Sequence, residues 1–387
     1  MSSINKINFS DSKLGILGGG QLGKMLVNAA NNWSITSFIL DPSKDCSAAT
    51  VCSNFIIGDF KKYEDVYSFG KLVDILTIEI EDVNTDALLQ LEKEGLLVFP
   101  EPQVLEIIKD KGLQKKIYDK HNLPTSKYIL LNNKEEIIAA VNEGKLKFPF
   151  VQKTRKFGYD GKGVAVIKTQ EDLAGLLDGE SLVEDLVAIQ KEISVIIARN
   201  RKGEVAIFPP VEMIFNSAAN LVEFLLSPAN LSKEIEKEVI QLAIEVSNAF
   251  QLTGVLAVEM FLDKNNKIYI NEVAPRPHNS GHQTIENAHT SQYEQHLRAI
   301  FGLPLGSTKL ISPSVMVNLL GEEGYSGQAI YSGFEQCIQI EGANLHLYGK
   351  KETRPYRKMG HATVLDTSIE NAKKKAQIIQ QTLKIIS

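Results

Sequence analysis

A short apolar run, Lys13 to Leu17, ends in Gly18-Gly19-Gly20 and passes into Gln21-Leu22-Gly23-Lys24-Met25-Leu26-Val27, whose apolar residues recur at helical spacing. A second apolar run, Ser37-Phe38-Ile39-Leu40-Asp41, follows. Strand, glycine turn, helix and strand in that order predict a βαβ unit, because parallel strands need a helical crossover. Further strands are expected at Asn54 to Ile57 and Asp74 to Ile80, each followed by polar, helix-starting sequence. Residues 1 to about 110 therefore read as a doubly wound α/β domain, closed by a linker at Pro100-Glu101-Pro102.

The chain goes on well beyond one such domain. Its 387 residues, 43% apolar and 23% charged, predict two or three globular domains and exclude disorder, collagen and coiled coil. Lys111 to His121 looks helical, and Phe148 to Lys153 reads as a strand entering a glycine-rich turn. Between 181 and 275 the period changes to strands, at Glu192 to Ala198, Glu204 to Phe208, Gly254 to Leu262 and Lys267 to Val273. One amphipathic helix, Leu231 to Phe250, interrupts them. Pro304 to Pro313 reads as a second linker, and 314 to 387 as a β-rich tail with a closing Lys-rich helix near Ile369 to Ile386.

Charge and cysteine content narrow the function classes. Lys plus Arg total 42 against 47 for Asp plus Glu, a net charge of -5 that gives no footprint for nucleic acid or an anionic membrane. Cys46, Cys52 and Cys337 form neither a disulfide framework nor a zinc motif. The polar start MSSINKINFSDSK is unlike a signal peptide, and no apolar run reaches the roughly 18 residues of a membrane span. A soluble, cytoplasmic protein with a small-molecule partner is expected.

Four stretches carry chemistry. Gly18-x-Gly20-x-x-Gly23 fits the dinucleotide fingerprint, with Asp41 at the ribose-binding position. It is also a near miss to the P-loop, in which Met25 stands where a magnesium-binding hydroxyl is required, and its glycines can equally serve only a tight turn. The second stretch, Lys153-Thr154-Arg155-Lys156-Phe157-Gly158-Tyr159-Asp160-Gly161-Lys162-Gly163-Val164, lies between two strands. It suits a hairpin whose amides and cations approach polyphosphate, or a merely solvated basic loop. Third, pairing across Asp263-Lys264-Asn265-Asn266-Lys267 brings Glu259 near Glu272, each on the apolar face of its strand, Glu259 with Val255, Ala257 and Phe261, Glu272 with Ile268 and Ile270. Two facing acids need a cation, either magnesium with ATP phosphates or a buried Arg or Lys. Last comes Pro275-Arg276-Pro277-His278-Asn279-Ser280-Gly281-His282, a stiffened loop able to bind an oxyanion and donate a proton.

Gly158-Tyr159-Asp160-Gly161-Lys162-Gly163, the acid pair ending in Asn271-Glu272, and Ala274 to His282 together resemble the ATP-grasp superfamily. Within it the chain is similar to the 5-(carboxyamino)imidazole ribonucleotide synthetase family, a likeness that also takes in Gly15 to Gly23 and the stretch from Tyr348-Gly349-Lys350 to Arg357-Lys358-Met359-Gly360-His361. The resemblance implies an ATP-grasp fold with a doubly wound (Rossmann-like) domain at 1–110, an ATP-grasp domain at 111–305 whose glycine hairpin occupies about 125–185, and a small β-rich C-terminal domain at 306–387. It implies an ATP- and magnesium-dependent ligase that carboxylates 5-aminoimidazole ribonucleotide with bicarbonate through carboxyphosphate, acting as a homodimer and passing its product to a separate mutase.

By the same resemblance Lys111, Lys153 and the loop Gly158, Tyr159, Asp160, Gly161, Lys162 and Gly163 would take ATP phosphates. Glu184, Asp185, Leu186 and Val187 would form the adenine hinge, Glu192 would hold the ribose, and Asn271 would flank the metal acids Glu259 and Glu272. Gln21, Leu22, Glu79, Tyr159, Asp160, Lys350 and Arg357 would bind the ribonucleotide, with Glu81 a rival to Glu79. Arg276, His278, Asn279 and Ser280 would line the bicarbonate pocket. Lys111, Phe215 and Val164 depart from the residues usual in this family, Arg, His and Gln respectively. His121, His289 and His346 read as surface or helix residues rather than ligands. A different ATP-grasp ligase would not need Arg276 to His282, and a nicotinamide oxidoreductase would leave the acid pair without a role.

Overall fold

The computed structural model describes residues 9–156, 158, 163–216 and 221–387. Five parallel strands open the chain, in spatial order Asn54–Ile57, Thr36–Asp41, Lys13–Leu17, Ile75–Ile78, Leu97–Phe99. The order reverses at Lys13–Leu17, so a crevice opens at its carboxyl end toward Ile75–Ile78, where open α/β sheets bind ligands. The expected strand at Asp74 to Ile80 is shorter because Glu79, although its N–H still bonds Leu17 O at 2.9 Å, turns its carboxylate toward the glycine turn.

A four-stranded antiparallel sheet of Tyr128–Leu131, Ser181–Asp185, Phe150–Thr154 and Val164–Ile167 carries the second glycine stretch. Against it stands a nine-stranded sheet that contains both acid-bearing strands, Gly254–Asp263 and Ile268–Ala274. The tail is not a separate sheet. Ser314–Leu320 pairs with Leu221–Ser227, and Lys358–Leu365 and Ala343–Leu347 extend the same array.

The amphipathic helix runs Lys233–Phe250, two residues later than expected, because Ser232 caps it by accepting from Ile235 N. Its Val239, Leu242, Ala243, Val246 and Phe250 recur at three and four residues and pack on Leu256, Val258, Met260 and Leu262. Those are one face of the Gly254–Asp263 strand, which leaves Glu259 on the other. The closing helix stops at Thr382. Leu383 is extended, and Lys384–Ile386 forms a strand on Ile330–Ser332 that buries Ile385. No helix among the described residues is long and apolar enough to cross a membrane.

Helix Gln292–Ile300 joins the parts, since Tyr293, Leu297, Ile300 and the tail residue Tyr348 are buried with Leu14, Ile16 and Leu26 of the first unit. His296 adds a polar tie. Its Nδ1 accepts from Val255 N at 3.2 Å, so the proton sits on Nε2, which donates to Thr77 Oγ1 at 2.9 Å.

Candidate active site

The first glycine stretch has a partner 59 residues away. Glu79 accepts from Gly20 N at 2.9 Å and Gly23 N at 3.0 Å, placing a carboxylate at the N-terminus of helix Gln21–Asn31. A Cβ on Gly20 would stand 2.6 Å from Glu79 Oε1, and Gly18 has φ +94°, so glycines are required for this approach. Burial raises the Glu79 pKa, against the pull of the two amides. Asp41 is spent on Gly19 N and Ser43 N, both at 2.8 Å, and Met25 is buried in the core. The helix terminus that a dinucleotide would use is thus filled by the protein's own acid, which removes the anchor of the oxidoreductase reading.

Helix Lys111–Lys120 begins at Asp110, whose Oδ1 accepts from Gly112 N at 2.8 Å. Arg155 clasps the same carboxylate through Nε at 3.0 Å and Nη2 at 2.6 Å, and Lys111 N bonds Arg155 O at 2.9 Å. This knot joins the helix start to the exit of the Phe150–Thr154 strand and turns Lys111 and Lys153 into one cleft. Lys111 pairs with Glu272, while Lys153 reaches Asn271 Oδ1 at 2.8 Å and Glu184 Oε2 at 2.7 Å.

Glu259 and Glu272 are direct cross-strand partners, as the hairpin spacing predicts. The face is corrected for Glu272, because register shifts after that pair and Met260 lies opposite Ile270. The extra residue, Asn271, reverses the alternation, so Ile270 enters the core with Met260 while Glu272 shares the cleft face with Tyr269 and Phe261. Burial and then the Glu272 charge push Glu259 up to about 8. Burial also opposes ionisation of Glu272, but Lys111 and Lys153 outweigh it and hold its pKa low. Glu192, on the adjoining strand opposite Phe261, is pushed by burial to about 7.

The proline-stiffened loop completes the cleft. His278 Nδ1 accepts from Ser280 N at 3.3 Å, which leaves the proton on Nε2, and Nε2 stands 3.6 Å from Glu259 Oε1. Ser280 Oγ meets His278 Nδ1 at 2.9 Å and Ser194 Oγ at 2.7 Å, and Asn279 begins the same short turn. Arg276 Nε lies 2.8 Å from Glu81 Oε1, tying this loop to the first unit. Of the two rival acids, Glu81 therefore faces Arg276 and Glu79 faces the glycine turn.

Gln21 and Leu22 start the first helix, whose Lys24 donates to Leu347 O at 2.9 Å. That bond brings the tail against them. Lys350 lines an open cavity of about 460 Å³ with Tyr331 and Gly349, and Arg357, which donates to Glu352 O at 2.6 Å, interacts with Tyr331. Gly158 and Gly163 are described. Gly163 has φ +77°, and its carbonyl accepts from Thr154 N at 2.8 Å. Tyr159, Asp160, Gly161 and Lys162 lie outside the described residues. In the hinge, Asp185 and Leu186 are exposed and Val187 half-buried, but Glu184 points inward.

Three features escaped sequence reasoning. Lys115 is buried against Glu184. Gln292 brackets His278, accepting from its N–H at 2.8 Å and donating to its carbonyl at 2.7 Å, and is fully buried. His346, expected at the surface, stacks on His361 with ring centres 4.5 Å apart, and His361 lies 4.6 Å from His282. Glu286 bonds His346 Nε2 at 2.5 Å, which draws that ring inward.

Residues 12–109 match the family of the ribonucleotide synthetase preATP-grasp domain, 116–293 the ATP-grasp domain, and 314–375 the phosphoribosylaminoimidazole carboxylase C-terminal domain. N5-carboxyaminoimidazole ribonucleotide synthase of Bacillus subtilis is 37% identical over 93% of both chains. The crystal structure of N5-carboxyaminoimidazole ribonucleotide synthetase from Thermotoga maritima superposes with a TM-score of 0.88 at 43% identity, covering 97% of this chain and 99% of that one. The Aspergillus clavatus N5-carboxyaminoimidazole synthase, solved with ADP and 5-aminoimidazole ribonucleotide, gives 0.88 at 32% identity over 97% and 99%. Against the longer phosphoribosylaminoimidazole carboxylases of Vigna aconitifolia and Saccharomyces cerevisiae the chain spans about two thirds of their length.

Proposed function

This chain belongs to the N5-carboxyaminoimidazole ribonucleotide synthetase family of ATP-grasp ligases, and on that premise we propose the roles of its residues in the ATP-dependent carboxylation of 5-aminoimidazole ribonucleotide, a step of purine biosynthesis. The carrying observation is the Glu259–Glu272 pair, flanked by Lys111 and Lys153 on one side and by His278 on the other.

The acid pair fits magnesium. Burial and then the Glu272 charge push Glu259 up to about 8, so a cation between the two acids would relieve both, and their oxygen donors suit a magnesium ion shared with phosphate oxygens. When bound, the ion supplies charge neutralisation at the phosphates. Lys111 and Lys153, with the Gly158 to Gly163 loop, hold the triphosphate, the hinge from Glu184 to Val187 the base, and Glu192 the ribose. Arg276, Asn279 and Ser280 hold bicarbonate, and His278 offers its Nε2 proton there.

A bicarbonate oxygen attacks the γ-phosphorus as the bond to the leaving ADP oxygen breaks, giving carboxyphosphate. Its carbon–oxygen bond to phosphate then breaks, and the exocyclic nitrogen of the ribonucleotide bonds the carbon and loses a proton. Gln21, Leu22, Glu79, Tyr159, Asp160, Lys350 and Arg357 hold that ribonucleotide. The reading divides the chain at about residues 110 and 305 and includes a cytoplasmic homodimer whose product passes to a mutase.

Oxygen-18 supplied as bicarbonate, before exchange with water, is expected in the released inorganic phosphate. Label absent from phosphate would mean that bicarbonate is not the phosphoryl acceptor and that the amine is activated directly.

A further inference from the structure

Lys115 is the most deeply buried cation near the site among the described residues, its side chain only 1% exposed. Nothing in the packing of helix Lys111–Lys120 calls for a lysine there, because taking an ammonium out of water costs several kcal/mol unless a partner compensates it. The partner is Glu184, 4% exposed, whose Oε1 receives both Lys115 Nζ and the Ser126 hydroxyl, the latter at 2.5 Å. Lys115 Nζ also donates to Thr125 Oγ1, and lies 3.3 Å from Ser126 Oγ. The Thr125 hydroxyl in turn donates a hydrogen bond to Ile270 O at 2.8 Å, one residue before Asn271.

These contacts determine what Glu184 can do with its second oxygen. With Oε1 taken, Oε2 alone is left for Lys153, at 2.7 Å. A carboxylate free to swing would draw the Lys153 ammonium onto both oxygens. Here Lys153 makes one bond to Glu184 and one to Asn271 Oδ1, and its remaining N–H is available to the cleft. The set Lys115, Glu184 and Lys153 carries two cations to one acid, and the second cation, Lys153, turns toward Glu192 and Glu272 in the cleft, where a polyphosphate is a natural further partner.

We propose that Lys115 is a positioning residue for nucleotide phosphates: by saturating one oxygen of Glu184 it fixes Lys153 at the distance from which Lys153 meets the phosphate chain. This deepens the ATP-grasp reading and rests on it. Glu184 accordingly works through Lys153 in addition to its place in the hinge. The same lysine fastens the entry of the glycine-hairpin sheet, through Thr125, to the strand that carries Asn271 and Glu272.

Binding of magnesium ADP to the full chain, measured by titration calorimetry, tests this. Lys115→Met is expected to weaken ADP binding about tenfold, because a buried charge partner is lost, and Lys115→Arg to stay within about threefold of the parent. Lys153→Met is expected to lose as much or more. The double variant should then bind no worse than about twofold below Lys153→Met alone, since one residue acts through the other. Losses that multiply in the double variant would assign Lys115 a purely structural part and overturn the inference, as would parent-like binding by Lys115→Met. Lys115→Gln keeps a donor for Thr125 and Ser126 without the charge, and carries the same expectation if the methionine variant does not fold. The Michaelis constant for the ribonucleotide at saturating ATP should move less than about twofold in each folded Lys115 variant; a larger rise would also overturn the inference. A parent protein that fails to bind ADP at all would instead overturn the ATP-grasp reading itself.

Discussion

Glu272→Gln is expected to slow ATP cleavage by about a hundredfold or more, since metal positioning contributes several kcal/mol to phosphoryl transfer. The substitution keeps the shape of the side chain and removes one charge. It strips Lys111 of its partner and Glu259 of the like-charged neighbour that, after burial, does most to raise its pKa. Lys111 can then no longer be held between acid and phosphate. It is a point charge and not an arginine fork, so it depends on Glu272 for its direction more than a bidentate group would. Turnover within about threefold of the parent at saturating magnesium would remove the acid pair from the reaction.

The second large effect is expected in the tail. Arg357→Ala should cost about 2 to 4 kcal/mol of ribonucleotide binding, because a charge-assisted contact to phosphate disappears, while ATP affinity barely changes. Lys350 lines the open cavity with Tyr331 and Gly349, and Arg357 interacts electrostatically with that Tyr331. The neighbouring Lys351 pairs with Asp45 across to the first unit, and Lys350 itself is steadied by donating to the Lys358 carbonyl at 2.7 Å. The run is therefore not a uniformly solvated basic turn. Steady-state kinetics decide the matter. A Michaelis constant for the ribonucleotide within about threefold of the parent, or an equal loss toward ATP, would take Arg357 out of the substrate site.

What could be read in the sequence was local. The βαβ start, the long helix and the facing acids each depend on spacing within about 30 residues, and each is found in the structure. The single residue that escaped the acid hairpin, Asn271, did so because a bulge leaves no mark on composition, yet it decides that Glu272 faces the cleft and Ile270 the core.

Long-range partners were not legible. The glycine turn looks like a phosphate cradle until Glu79 is seen to fill it. Lys115 sits in Lys-Gly-Leu-Gln-Lys-Lys, where no apolar period distinguishes a buried lysine from an exposed one. His282, His346 and His361 come together only because the tail strands join the central sheet, a long-range pairing that the linker expected at Pro304 to Pro313 did not announce. The chemistry-bearing residue types were visible; which of them the protein spends on itself was not.

ADP release, followed with and without 5-aminoimidazole ribonucleotide in the presence of bicarbonate and magnesium, tests the central claim most directly. The expected result is release that depends on the ribonucleotide, with one ADP and one phosphate formed for each ribonucleotide carboxylated. ADP release that is indifferent to the ribonucleotide, or that proceeds without its carboxylation, would contradict it.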